Sequence, residues 1–268
     1  MGKKAVGLIL FVLLMAIIFI GVLPLILLIL LSFSEGWRWP EIYPHAFGLR
    51  AWKYILLSTS GTLTAIKLSL QIALLTMIMN LLLAVPAADA LGRYDFKGKK
   101  IIEAILFMPI IVPPIIIMMG MYKMFIRLNL TESITGVVIA HIIPTLPYMI
   151  RSVTISFGNL GFQWEEQAKM LGASKFTRFI HVIFPFLLPG MITGGSLTVL
   201  ISFSQYIITV LIGGGKVATL PVRMFPFING GDTGIGAAYA LIFAMMAVIT
   251  LFVMDLFLKR YYEDKKIH

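Results

Sequence analysis

The chain contains no cysteine, which excludes disulfides and thiolate metal sites. It is also poor in charge: Asp, Glu, Lys and Arg make up 13% of its 268 residues, against about 25% in an ordinary soluble domain. The deficit is sharpest in the middle of the long apolar runs, where no carboxylate occurs. Catalytic signatures are missing as well. There is no H-E-x-x-H for zinc hydrolysis and no G-x-S-x-G for serine chemistry, and His45, His141, His181 and His268 are scattered. Gly213-Gly214-Gly215-Lys216 superficially suggests a phosphate loop, but that loop needs a glycine five residues before the Gly-Lys pair and a hydroxyl residue after it. Val210 and Val217 hold those positions, so the segment reads as a turn. These absences argue against an enzyme and for a chain without a metal or cofactor of its own.

What the chain has is hydrophobic length. Apolar residues make up 59% of it, gathered in runs that approach the roughly 20 residues a helix needs to cross hydrocarbon. Six spans are expected, at about 5–31, 62–90, 101–125, 134–155, 183–212 and 236–258. The fold class is therefore all-α and polytopic, a single transmembrane domain over 1–268. The first run follows Lys3-Lys4 but is about twice the length of a signal-peptide core and has no A-x-A-like site after it, so it reads as a retained helix.

The net charge of +10 would suggest a nucleic-acid partner in a soluble protein. Here it follows from basic residues at membrane edges, and no nucleic-acid partner is expected. With both termini cytoplasmic, the inner side holds Lys3, Lys4, Arg93, Lys97, Lys99, Lys100, Arg151, Lys169, Lys175, Arg178, Lys259, Arg260, Lys265 and Lys266. The outer side holds half as many: Arg38, Arg50, Lys53, Lys123, Arg127, Lys216 and Arg223. That bias sets the orientation. Pro109, Pro113 and Pro114, then Pro144 and Pro147, then Pro185 and Pro189 mark spans that lose helical hydrogen bonds. Gly190, Gly194 and Gly195 permit close helix approach.

Phe157 to Phe184 is the longest inward loop. Trp164, Ala168, Leu171, Phe176, Phe179, Ile180 and Ile183 recur at near-helical spacing with charges between them. Gly172 suits a bend between two short helices, and Ala168 and Gly172 leave one face nearly bare. Periodicity alone leaves two readings open: a helix resting on the membrane surface, or a face that another protein approaches.

The register within this loop carries a resemblance. Glu166-Gln167-Ala168, three residues, Gly172, nine residues and Val182-Ile183-Phe184-Pro185 resemble the Glu-Ala-Ala ("EAA") motif of the permeases of bacterial binding-protein-dependent ABC importers. Gln167 stands where that family has alanine. Arg93-Tyr94-Asp95-Phe96-Lys97-Gly98-Lys99 is similar to the family's basic turn between the second and third spans. The resemblance covers most of the chain and points to the smaller permeases of polyamine, iron, thiamine and phosphonate importers.

The resemblance implies a type I ABC importer permease fold with six transmembrane helices, in a bacterial or archaeal cytoplasmic (inner) membrane. It implies a cytoplasmic coupling loop at about 157–184 that forms a coupling helix around Glu166–Gly172, with Glu165, Glu166, Gln167, Ala168, Gly172 and Ala173 against the ATPase. It also implies partners: two copies of an ABC ATPase that hold ATP and Mg, a second homologous permease, and an extracytoplasmic substrate-binding protein, all in a lipid membrane.

A solute path is sought among polar residues inside spans, which are costly and so suggest function. Ser202, Gln205 and Thr209 share one face of a continuous helix, with Tyr206 beside them. That face either lines a polar path or serves as interhelical hydrogen bonding. His141 is either a packing residue or a proton relay. Without mid-span carboxylates a polyamine is disfavoured as solute. The alternative function is an ion-coupled secondary transporter, which needs central charges.

Overall fold

The computed structural model describes residues 3–37 and 41–266. Arg38 and His268 lie outside the described residues, as do the side chains of Lys3, Lys4, Lys265 and Lys266. The described chain is helical: α1 (Lys3–Phe33), α2 (Arg50–Leu56), α3 (Thr62–Arg93), α4 (Lys99–Ile111), α5 (Pro114–Arg127), α6 (Ile134–Leu160), α7 (Gln163–Met170), α8 (Lys175–Arg178), α9 (Phe184–Ser204), α10 (Tyr206–Gly213), α11 (Leu220–Asn229) and α12 (Thr233–Lys266). Five helical segments are long and apolar enough to cross a membrane. The bent pair α4 and α5 makes six if it counts as one span.

Two of the expected spans are interrupted. The run over 101–125 bends by 103° between α4 and α5. Pro113 and Pro114 are the cause. Both lack an N–H, and Val112, which precedes them, is extended at φ −80 and ψ 127 as the residue before proline prefers. The run over 183–212 stops at Ser204 and resumes at Tyr206, with Gln205 at ψ 78 between them. No proline or glycine stands at that second break.

The chain packs as two compact units, Met1–Leu63 with Arg223–Met245, and Thr64–Val222 with Met246–His268. In the first unit, the large apolar side chains of α1 are exposed from Leu10 to Leu27 with few exceptions, as suits a lipid-facing helix. Arg50 grips both carboxylate oxygens of Asp232 at 2.9 and 2.7 Å, and this hydrogen bonding raises the Arg50 pKa above its ordinary value. Asp232 also accepts from the Ile235 N–H at 3.3 Å, capping α12. The Thr62 and Tyr239 hydroxyls meet at 2.9 Å, both buried.

In the second unit, two apolar clusters lie on either side of a polar layer. One holds Ala84, Ala88 and Leu91 of α3, Met149, Ile150, Val153, Phe157 and Leu160 of α6, and Ile183 and Leu187. The other holds Ile72 of α3, Val137, Val138 and Ala140 of α6, and Ile208 and Ile212 of α10. Between them in chain order come the buried polar residues Asn80 on α3, His141 and Thr145 on α6, and Thr198 and Ser202 on α9, while buried Thr209 stands within the second cluster's stretch of α10, next to Ile208.

The pairing of α6 with α9 runs the length of this unit, and glycine makes it possible. A Cβ built at Gly194 would lie 3.0 Å from the Met149 Cα, and one at Gly190 would lie 2.7 Å from the Ser152 carbonyl oxygen. These obstacles are backbone and cannot rotate away. Gly190→Val is therefore expected to destabilise the protein by about 1–3 kcal/mol through overpacking, read as a lower thermal midpoint in detergent. Gly120→Ala, inside α5 where an added Cβ meets nothing within 4 Å, should not lower the midpoint and is expected to raise it slightly.

Candidate functional site

The loop between α6 and α9 builds a small, well-defined device. Glu165 and Glu166 lie in the first turn of α7, where the helix N-terminus favours negative charge. Gly172 ends the helix at φ +83. Its N–H reaches the Lys169 carbonyl at 3.0 Å, and the Ala173 N–H reaches the Ala168 carbonyl at 3.0 Å. This paired closure requires a left-handed residue after the helix, which is why glycine stands there. Three of the six coupling candidates, Ala168, Gly172 and Ala173, thus have a definite local task. Ser174 then opens α8 by accepting from the Thr177 N–H at 3.2 Å. A π-helical turn, Phe179–Ile183, carries the chain without interruption into α9.

The surface of this turn is apolar rather than merely bare. Leu171 is 88% exposed, Met170 80% and Phe176 76%. A Cβ at Gly172 would meet nothing within 4 Å. Ala168 is half-buried, while Glu166 and Gln167 are exposed.

Arg93, at the end of α3, holds the loop to the helices. Its side chain is 5% exposed. It donates to Asp89 at 2.5 Å and to Glu165 at 2.8 Å, and its guanidinium lies 4.9 and 4.8 Å from the ring centroids of Phe157 and Phe162. A planar cation can give its edge to carboxylates and its faces to rings at once, which lysine cannot do. Arg178 stands 4.0 Å from the other oxygen of Glu165. Asp89, Arg93, Phe162, Glu165 and Arg178 line a cavity of about 330 Å³ with Tyr94, Glu166, Lys169 and Ile183. The pairing of Asp89 with a neighbouring base follows from their spacing; the 72-residue link from Arg93 to Glu165 does not. The only sequence signal for it is a basic residue at a span end and an acidic one at a loop start.

A second contact fastens the loop's exit. Pro189 has no N–H to give to the Pro185 carbonyl, and the Tyr261 hydroxyl of α12 donates to that carbonyl instead.

The four solute-path candidates do not form one face, because the helix breaks at Gln205. Ser202 and Thr209 are buried and meet His141, at 2.9 Å to Nδ1 and 3.0 Å to Nε2. Gln205 and Tyr206 are half-buried, and Ser204 beside them is exposed. Asn80 donates to Thr145 at 2.7 Å and to Thr198 at 3.3 Å, and Thr145 donates to the His141 carbonyl at 2.6 Å. His141 is thus a packing residue engaged through both ring nitrogens. Among the described residues, no group of His, Asp and Glu is placed to hold a metal ion.

Residues 80–263 match the family described as "Binding-protein-dependent transport system inner membrane component". The chain is 26% identical over 261 residues to a putative 2-aminoethylphosphonate transport system permease protein, PhnV, of Salmonella typhi, covering 97% of each. It is 28% identical over 216 residues to the molybdenum transport system permease protein ModB of Haemophilus influenzae, covering 74% of this chain and 94% of that one. It is 25% identical over 237 residues to the spermidine/putrescine transport system permease protein PotC of Escherichia coli K12, covering 87% and 88%. Its fold is similar to that in the crystal structure of a bacterial ABC transporter involved in the import of the acidic polysaccharide alginate, with a TM-score of 0.72, 18% identity and 97% of each chain covered. With six helical spans among the described residues when the bent pair counts as one, and with the family's model matching more than half of its length, the chain belongs to the family of binding-protein-dependent transport system inner membrane components.

Proposed function

We propose that this chain is one permease half of an ATP-driven importer and passes a small solute across the cytoplasmic membrane by alternating access. The observation that carries this reading is the α7–Gly172–α8 turn. It exposes Met170, Leu171 and Phe176 while its base is pinned by Arg93. Large apolar side chains grouped on a rigidly held, otherwise charged turn suit a protein partner. That partner is an ABC ATPase, in two copies per complex, which holds the ATP and Mg. A second, homologous permease completes the membrane part, and an extracytoplasmic binding protein delivers the solute. Phosphonate, molybdenum and polyamine systems appear among the relatives; the lack of mid-span carboxylates in this chain weighs against a polycation.

Glu165, Glu166, Gln167, Ala168, Gly172 and Ala173 form the ATPase-coupling segment in this reading, and Gln205 and Tyr206 face the solute path at the break between α9 and α10. ATP and loaded binding protein drive the cycle only because each binds one conformer better than the other.

Purification from native membranes in mild detergent tests the class. An ATPase, a second permease and a binding protein should come with the chain, and the binding protein then identifies the solute. Recovery of the chain by itself, in detergent that keeps other ABC complexes intact, would turn the assignment to an ion-coupled secondary transporter.

Gly172→Asp should abolish uptake of that solute while the protein still inserts, because a charge and a Cβ are forced onto the turn at φ +83. Arg93→Met leaves Asp89 and Glu165 without their shared cation. ATPase retention on the permease should then fall by roughly tenfold or more, measured by quantitative co-purification. The natural lack of cysteine also allows a direct test of orientation. Lys97→Cys should react with a membrane-impermeant maleimide only from the cytoplasmic side, and Lys53→Cys only from outside.

A further inference from the structure

The contacts of His141 reach beyond packing. The Thr209 hydroxyl gives its one proton to the Gln205 carbonyl, so at His141 Nε2, 3.0 Å away, it must accept. Nε2 therefore carries the ring proton, Nδ1 is bare, and the Ser202 hydroxyl donates to it at 2.9 Å. One imidazole thus bridges the last turn of α9 and the first turn of α10, with the break at Gln205 between its two partners.

That bridge is incompatible with an unbroken helix. Seven residues of continuous α-helix separate Ser202 from Thr209 by about 10.5 Å along the axis, and both side chains would lean the same way, towards the N-terminus. Two hydrogen bonds of 2.9 and 3.0 Å and the width of one imidazole fall short of that distance. Both bonds exist only while the span is broken. The carbonyls at the break are also cared for, as the membrane interior requires: Ser204 donates to Ile201 at 2.8 Å, Gln205 N–H to Ser202 at 3.3 Å, and Thr209 to Gln205. A proton relay is the poorer account, because the chain from Nε2 through Thr209 ends on an amide carbonyl, which takes no proton.

We propose that His141 is the positioning residue of the solute path: by tying Ser202 to Thr209 it holds the break at Gln205 and so sets where the half-buried Gln205 and Tyr206 side chains stand. This rests on the reading of Gln205 and Tyr206 as path residues. With His141 gone, the two hydroxyls lose their shared partner inside an apolar surround, and the span is free to close into a continuous helix that turns position 206 away from the path.

The cysteine-free chain supplies the test. Tyr206→Cys is placed in the complete complex in membranes, and its rate of modification by a small cationic methanethiosulfonate is measured, with Lys97→Cys as a separate reporter of correct insertion. The wild-type His141 background should label at position 206. His141→Leu should slow that labelling by roughly tenfold or more and leave Lys97→Cys unchanged. His141→Gln, whose amide keeps one donor and one acceptor, should restore much of the rate. Should His141→Leu fail to insert, Ser202→Ala combined with Thr209→Val removes the same two bonds without touching α6 and should show the same slowing. Equal labelling at position 206 in all backgrounds overturns the role of His141 while leaving the path in place. No labelling at position 206 even with His141 present removes the path, and the proposal with it.

Discussion

A backbone carbonyl that loses its helical partner inside hydrocarbon has no water to turn to. An irregularity inside a span therefore needs a donor of its own, and at two places in this chain a side-chain hydroxyl supplies it. At the start of α9, Pro189 leaves the Pro185 carbonyl open, and Tyr261 of α12 supplies a hydroxyl. At Gln205, where α9 stops, Ser204 and Thr209 supply theirs. The first repair joins α12 to α9, so a departure from helix geometry becomes a fastening between helices; those at Gln205 are local, within four residues. The buried hydroxyls of this protein are spent on backbone as much as on one another.

The polar layer follows from the same constraint. Asn80, Thr145, Thr198, His141 and Ser202 lie between two apolar clusters that close it off on both sides, with Thr209 next to Ile208 of the second. Apolar packing sets which helices meet, and glycines 190 and 194 set how near. Hydrogen bonds of this kind fix register, since a shift of one residue in α6 would strand both ring nitrogens of His141. Outside the hydrocarbon the fastening changes kind. Arg93 uses charge and ring contacts to hold α7, where carboxylates are affordable and lipid no longer limits the choice.

How much of this could be read from the residues depends on how local each feature is. Apolar runs near the spanning length are a signal within one segment, and they locate the spans. Gly172 announces the end of α7 because a left-handed position leaves a mark on the residue that fills it. Pro113 and Pro114 announce a disturbance, although not a bend of 103°. The break at Gln205 leaves no local mark: Ser202-Phe203-Ser204-Gln205-Tyr206 contains neither proline nor glycine and reads as helix. Its determinant is a histidine 61 residues from Ser202. Arg93 and Glu165 are equally silent, each an ordinary charge until the fold brings them to 2.8 Å. Local chemistry was legible, and partnership across the chain was not.

On the proposed reading, the arrangement also decides what a partner can move. The coupling turn is tied at two points, to α3 through Arg93 and to α12 through Tyr261 by way of Pro185, and it runs directly into α9. A displacement of the turn therefore acts on three long helices together rather than on a loose loop. Between that turn and the break at Gln205 lies the close glycine-mediated contact of α9 with α6, which resists bending because its obstacles are backbone. The compliant point is then the break itself, held by side-chain hydrogen bonds worth about 1 kcal/mol each rather than by close-packed backbone. A partner that favours one state by a few kcal/mol can rearrange such a point without unpacking the helices around it.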